Sequence, residues 1–168
     1  MLIISSLADA ENACRQYSPS RVISLVSEDE IAPGFCGVDP ARHLLLHVSN
    51  ESCAKSITSA ARERAEKIIE FINGWDRNGN ILVHCNRGVA RSTAAAFVVL
   101  CMLEPNSDEA ELMKRLRKVA PYADPCPLLI TYADEILGRD GCMEDAVDDL
   151  GPPAPAISAP TVAIEIAA

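Results

Sequence analysis

Ile81-Leu82-Val83 is a short run of branched apolar residues; a polar turn built around Gly88 follows it, and Ser92–Glu104 is then apolar almost all the way round. A strand and a helix with no polar face must both be covered, which forces a layered fold with the strand inside. The rest of the chain repeats this alternation. Leu2–Ile4 and Arg21–Val26 flank a segment of helical spacing, Ala8–Tyr17, and His43–Val48 reads as a third strand covered on both faces. A long helix follows from about Ser56 to Trp75, with Ala61, Ala65, Ile68, Ile69 and Ile72 as its apolar stripe and Asn78-Gly79-Asn80 as its stop. Ser107-Asp108-Glu109 opens a further helix to about Ala120, another runs Leu128–Leu137 and ends at Gly138, and Glu144–Leu150 adds a short one. The expectation is an α/β protein: a three-layer α/β/α domain over residues 1–150 whose central sheet is mostly parallel and has four to five strands. Gly151–Ala168 is Pro- and Ala-rich and reads as a mobile tail outside that domain, with pairing of its alternating end to a sheet edge as the lesser reading.

A length of 168 residues, 49% of them hydrophobic, supplies one core without disulfide or metal staples. The net charge is -9, and this acidity argues against a nucleic-acid or anionic-membrane partner, which needs clustered Lys and Arg. Lys114, Arg115, Arg117 and Lys118 stand near a helix C-terminus and read as a solvated face that suits the dipole. The seven cysteines are odd in number and irregular in spacing, with no C-x-x-C pair, so neither a disulfide framework nor a zinc ribbon is signalled. His43 and His47, with Cys36 or Cys53, look superficially like metal ligands but read better as strand and loop residues, and no metal or cofactor is expected. The start of the chain lacks a signal-peptide pattern, and the longest apolar stretch, Ala94–Leu103, is too short to span a bilayer. The expected location is the cytoplasm; the sequence carries no sign of oligomeric state.

The chemistry lies in the turn His84-Cys85-Asn86-Arg87-Gly88-Val89-Ala90-Arg91-Ser92. A strand ends, the chain turns tightly at Gly88, and the backbone N–H groups of Asn86, Arg87, Gly88, Val89, Ala90 and Arg91 face one concavity to which the next helix adds its positive end. That is an anion cradle. Cys85 lies at its base, where the same field favours the thiolate. Arg91 follows at the first turn of the helix with a planar fork for two oxygens. A sulfur nucleophile beneath a cradle for a tetrahedral dianion suits phosphoryl transfer through a cysteinyl-phosphate.

This strand–HC-x-x-G-x-x-RS–helix arrangement resembles the active-site signature of the protein tyrosine phosphatase superfamily, in particular its small dual-specificity branch. Gly74-Trp75-Asp76-Arg77, Ser92-Thr93-Ala94-Ala95-Ala96 and the run Ala133–Gly141 are similar to a bacterial group of tyrosine phosphatase-like proteins. The resemblance implies a phosphorylated protein or small molecule as substrate, with Cys85 attacking phosphorus, Arg91 and the loop amides binding the oxygens, Ser92 supporting the departing sulfur, and His84 setting the loop through hydrogen bonds. It implies that Arg87 points out of the cradle. It also places Asn50 where relatives carry the general-acid Asp, with Glu51 next to it as a substitute, and Cys126, beside Asp124, where relatives carry a supporting Asn. An amide cannot deliver a proton. The expectation is a slow cysteine-dependent phosphatase that prefers phosphotyrosine or other aryl phosphates. The alternatives are a pseudophosphatase that binds phosphoprotein or oxyanion without turnover and, less favoured because Asn86 and Val89 are not lysines, a phosphoinositide phosphatase.

Overall fold

The structure, a computed structural model, describes residues 1–35, 37–48 and 59–167. Four strands are parallel: β1 (Leu2–Ser6), β2 (Arg21–Val26), β3 (His43–His47) and β4 (Ile81–Cys85), and a short β5 (Val162–Ile164) runs antiparallel to them at one edge. Their spatial order is β3-β2-β4-β1-β5, which leaves β4 central with β2 and β1 on either side. The expected mostly parallel sheet is what forms.

The two faces are covered unequally. Successive strand residues point to opposite faces, so Ile81, Val83 and Cys85 join the larger core while Leu82 joins the smaller one. On the larger side lie α2 (Ser59–Asn73), α3 (Arg91–Leu103), α4 (Glu109–Val119), α5 (Pro127–Leu137) and α6 (Cys142–Asp148). The opposite face carries α1 (Ala10–Tyr17) together with Phe35 from the segment before β3. Helix α3 is buried along nearly its whole length, as its unbroken apolar sequence requires. Local chemistry sets the ends: the Asp108 carboxylate accepts from the Glu111 amide at 3.0 Å to cap α4, and Gly138 closes α5 in the left-handed conformation at φ 63°. Buried Trp75 donates its indole N–H to Ser20 Oγ at 3.2 Å, tying the end of α2 to the start of β2.

Residues 151–167 depart from the expectation of a tail outside the domain. After passing α4 the segment crosses beside the β4–α3 loop, ends in β5 on the edge of β1, and buries Ala159 and Ile164. The reason is hydrogen bonding. Gly151–Thr161 carries no charge of its own, and its carbonyls are taken up by donors from the body: Arg117 to Gly151 O and Pro152 O, Arg87 to Ala156 O and Ile157 O, and Tyr122 to Pro160 O. Arg115 pairs with the buried Glu104 at 2.6 Å and also donates to Glu165 O. Two arginines of the basic run therefore anchor the chain end rather than form a solvated face, and β5 covers an edge that would otherwise expose β1.

Candidate active site

The loop between β4 and α3 sits at the C-terminal edge of the central strand, where an open α/β sheet offers a crevice. Cys85 is buried, 3% exposed, as the last residue of β4. The Gly88 amide donates to its Sγ at 3.2 Å, and Ser92 Oγ lies 3.2 Å from the same sulfur. Gly88 makes the turn at φ 75°. A Cβ there would meet Ser6 N and the Ala159 methyl at 3.0 Å each, so both the conformation and the close packing require glycine. Helix α3 begins at Arg91, and Ala90 at its N-cap has no side chain to accept the first-turn amides, whose positive end faces the cradle. The Thr93 hydroxyl donates back to the Val89 carbonyl, closing the loop onto the helix.

Arg91 is positioned by acceptors on two elements. Its Nη1 donates to Ser27 Oγ just past β2 and to Asn86 Oδ1 of the loop itself, at 3.2 Å each. Asn86 Oδ1 also accepts the Ser27 amide at 3.0 Å. Asn86 thus braces the arginine and the end of β2 with its side chain, a role that its place in the sequence motif did not announce. Arg87 does point away from the cradle. Its Nε and Nη2 donate to Ile157 O at 2.6 Å and Ala156 O at 2.8 Å, while its own carbonyl accepts the Ala159 amide at 2.8 Å.

His84 follows the alternation of β4 and faces the opposite side of the sheet from Cys85. Its Nε2 lies 2.6 Å from Ser24 Oγ, which in turn lies 2.7 Å from His43 Nε2, and the Phe35 ring meets both imidazoles edge-on. The serine hydroxyl donates to one ring and accepts from the other. Burial, reinforced by the neighbouring His43, pushes the His84 pKa down to about 4, and burial lowers His43 as well. His84 therefore sits neutral beneath the site, its one ring hydrogen bond running to the sheet and not to the loop as expected; Nδ1 is buried without a partner among the described residues.

The segment Ala120–Pro127 lies against the loop through its backbone: the Asp124 amide donates to Val89 O at 3.1 Å and the Cys126 amide to Ala90 O at 3.3 Å. Main-chain groups thus give support where relatives were expected to use an Asn side chain. Together these elements enclose a cavity of about 760 Å³ over Cys85. Arg91 and the loop occupy its floor, Ser27, Asp29 and Glu30 line it from the segment after β2, Tyr122 and Asp124 from the α4–α5 turn, and Pro153–Ala156 from the C-terminal segment. Asn50 and Glu51 lie outside the described residues, as do Cys36 and Cys53. His43 is engaged with Ser24, and no cluster of three metal-ligating side chains occurs among the described residues. None of the described helices is long and apolar enough to cross a membrane.

Sequence reasoning missed Ser27, Asp29, Glu30 and the tail residues. Ser27 was findable in principle, since it follows a strand adjacent to the signature strand. The others depend on how loops return to the crevice, which no local pattern encodes.

No family model and no curated protein matches the chain. Solved structures do match its fold. Human DUSP28 superposes with a TM-score of 0.61 at 20% identity, covering 82% of this chain and 88% of that one. The human tyrosine phosphatase-like serine/threonine/tyrosine-interacting protein gives 0.63 at 17% identity over 83% and 92%. PTPMT1 in complex with PI(5)P gives 0.60 at 15% identity over 83% and 94%. The chain shares its fold with these phosphatase structures.

Proposed function

We propose that this protein is a cysteine-dependent phosphomonoesterase acting on phosphotyrosine or another aryl phosphate. The observation that carries the reading is the pair of contacts on Cys85 Sγ, from the Gly88 amide and the Ser92 hydroxyl, at the floor of a cavity that also holds Arg91. In the first step the Cys85 sulfur attacks phosphorus, the S–P bond forms, and the ester P–O bond breaks to release a phenolate that takes its proton from solvent. Arg91 and the loop amides bind the three remaining oxygens, whose charge is spread in a loose transition state. In the second step water attacks phosphorus, the S–P bond breaks, orthophosphate leaves, and Ser92 stabilises the returning thiolate.

Asn50 at the acid position supports the aryl preference. A phenolate leaves with a conjugate-acid pKa of roughly 10, whereas an alkoxide needs a proton in flight. Turnover is slow on this account, since general-acid help is typically worth about 10²–10⁴-fold. A reaction that requires a reduced thiol supports the cytoplasm as its place. The test is release of phosphate from an aryl ester by wild type and Cys85→Ser: the variant is expected to lose about 10⁴-fold or more of the rate. Equal rates would exclude the covalent route.

A second reading, a pseudophosphatase, draws on the same Asn50 and on Cys126. Binding of phosphate, sulfate or vanadate by calorimetry beside a null turnover assay would favour this second reading, and Asn50→Asp tests the acid position on which both rest. Under the enzyme reading it raises turnover of alkyl phosphates more than that of p-nitrophenyl phosphate and adds an acidic limb to the pH–rate profile, because the departing oxygen that benefits most is the most basic. If alkyl esters gain nothing and Glu51→Gln abolishes activity, Glu51 is the acid.

A further inference from the structure

The residues that meet Cys85, Arg91 and Ser92 account for the phosphate but not for what the phosphate is attached to. That group must occupy the outer part of the cavity, whose described walls differ sharply in chemistry. One is acidic, with Asp29 and Glu30 beyond β2 and Asp124 in the α4–α5 turn. The other is uncharged and largely apolar: Pro153, Ala154, Pro155 and Ala156, next to buried Tyr122. This second wall is fixed in several independent ways. The Ala154 amide donates to Pro121 O at 3.0 Å, Arg87 holds the carbonyls of Ala156 and Ile157, the Ala159 amide returns a bond to Arg87 O, and Tyr122 Oη donates to Pro160 O at 3.1 Å. Two prolines, whose φ is already restricted, lose little freedom on being held there.

We propose that the C-terminal strap Pro153–Ala156 is the specificity wall of the cavity, receiving the aromatic ring of a monophosphate ester whose surroundings are neutral or cationic. The proposal rests on the phosphatase reading of the floor and adds which part of the chain selects the substrate. An aryl ring fits a preformed apolar surface that needs no hydrogen bonds from it. The acidic residues that also line the cavity repel additional phosphates and accept a positive charge, which disfavours polyphosphorylated ligands such as phosphoinositide headgroups. Arg87 is drawn into holding the strap, so the cation adjacent to the nucleophile is committed to the wall instead of to a second phosphate.

Calorimetry on the full chain with non-hydrolysable ligands tests this apart from turnover. Inorganic phosphate probes the floor alone, phenylphosphonate the floor plus wall, and inositol bisphosphate the polyanionic alternative. Phenylphosphonate is expected to bind at least tenfold tighter than phosphate and than inositol bisphosphate. The double substitution Pro153→Gly with Pro155→Gly, which leaves the anchoring carbonyls in place, is expected to cut phenylphosphonate affinity roughly tenfold, the value of a small apolar contact in a pocket, with phosphate affinity unchanged. Truncation after Gly151 removes β5 as well and serves only where circular dichroism shows it folded; there the same selective loss is expected. Phosphate binding with no advantage for phenylphosphonate, no effect of the double substitution, or tighter binding of inositol bisphosphate would each overturn the strap proposal while leaving the floor intact. Absence of phosphate binding in the wild type would instead strike the phosphatase reading itself.

Discussion

The Cys85–Arg91 loop and the strap Pro153–Ala156, with its flanking residues, pass within contact of each other and are held by opposite means. The loop is shaped mainly from within its own stretch of chain, where Gly88 turns it, its amide meets Cys85, Asn86 braces Arg91 and Thr93 closes it onto α3, and Ser27 and the Asp124 and Cys126 amides add support from outside. The strap has no regular structure of its own before β5 and is fixed by side chains reaching from α4, from the turn after it and from the loop. A local device keeps its geometry when remote parts of the chain change. A remote one keeps it only while all its anchors are in place. Chemistry that needs reacting atoms positioned within a fraction of an ångström belongs on the first kind of element. The choice among leaving groups can be carried by the second.

Arg91→Lys strikes the loop side of this contrast alone. It keeps the charge but loses the planar fork that offers two donors to the phosphate oxygens, and aryl phosphate turnover is expected to fall by about 10²–10³-fold, the usual cost of a lost oxyanion donor. The strap and its preference for phenylphosphonate over a polyanion should be retained among molecules that still bind. A comparable loss of that preference would show that loop and strap are one unit.

The sheet beneath the loop gives the next effect. The folded-state pKa of His84 is lowered to about 4 against an ordinary value of 6.5. The neutral imidazole is the folded form, so its contribution is complete above the unfolded value and is lost as pH falls from about 6.5 through about 4. Urea unfolding across that window should show stability declining by up to roughly 3 kcal/mol. His84→Asn should be less stable at pH 7 and flatter over the same range. An unchanged slope in the variant would mean that the acid sensitivity comes from other groups.

Gly88→Ala tests the seam where the two regions meet. The added methyl would face Ser6 N and the Ala159 methyl at 3.0 Å in a left-handed conformation, and a cost of about 1–3 kcal/mol is expected from thermal or urea unfolding. Because Ala159 anchors the chain just beyond the strap, the variant should lose its strap-dependent affinity along with its stability. A variant as stable as wild type would show that the seam is looser than the packing indicates.

The same contrast explains what could be read from the amino-acid order. The apolar run Ile81–Val83, the Gly88 turn and the uniformly apolar α3 carry the central strand, the cradle and the covering helix in one continuous stretch, and strand alternation alone puts His84 and Cys85 on opposite faces. The strap has no such signature. Its prolines and missing charges read as linker composition, and its cue lay 34 to 50 residues earlier, in Arg115 and Arg117, whose hydrogen bonds to Glu165 and to Gly151 and Pro152 come from tertiary placement that helix periodicity does not reveal. The Asn86 brace was hidden for a similar reason: an Asn in a phosphate loop suggests a ligand contact, and only the proximity of β2 shows Ser27 and Arg91 as its partners.

The central claim is that Cys85 carries the phosphoryl group. Rapid mixing with excess p-nitrophenyl phosphate, a denaturing quench and peptide mass spectrometry read this directly. The expected result is one added phosphoryl group on the peptide containing Cys85, absent from Cys85→Ser and absent from the buried Cys101, whose thiol burial pushes up to about 12. Phosphate release that proceeds at the wild-type rate with no phosphorylated Cys85 peptide at any quench time would contradict it.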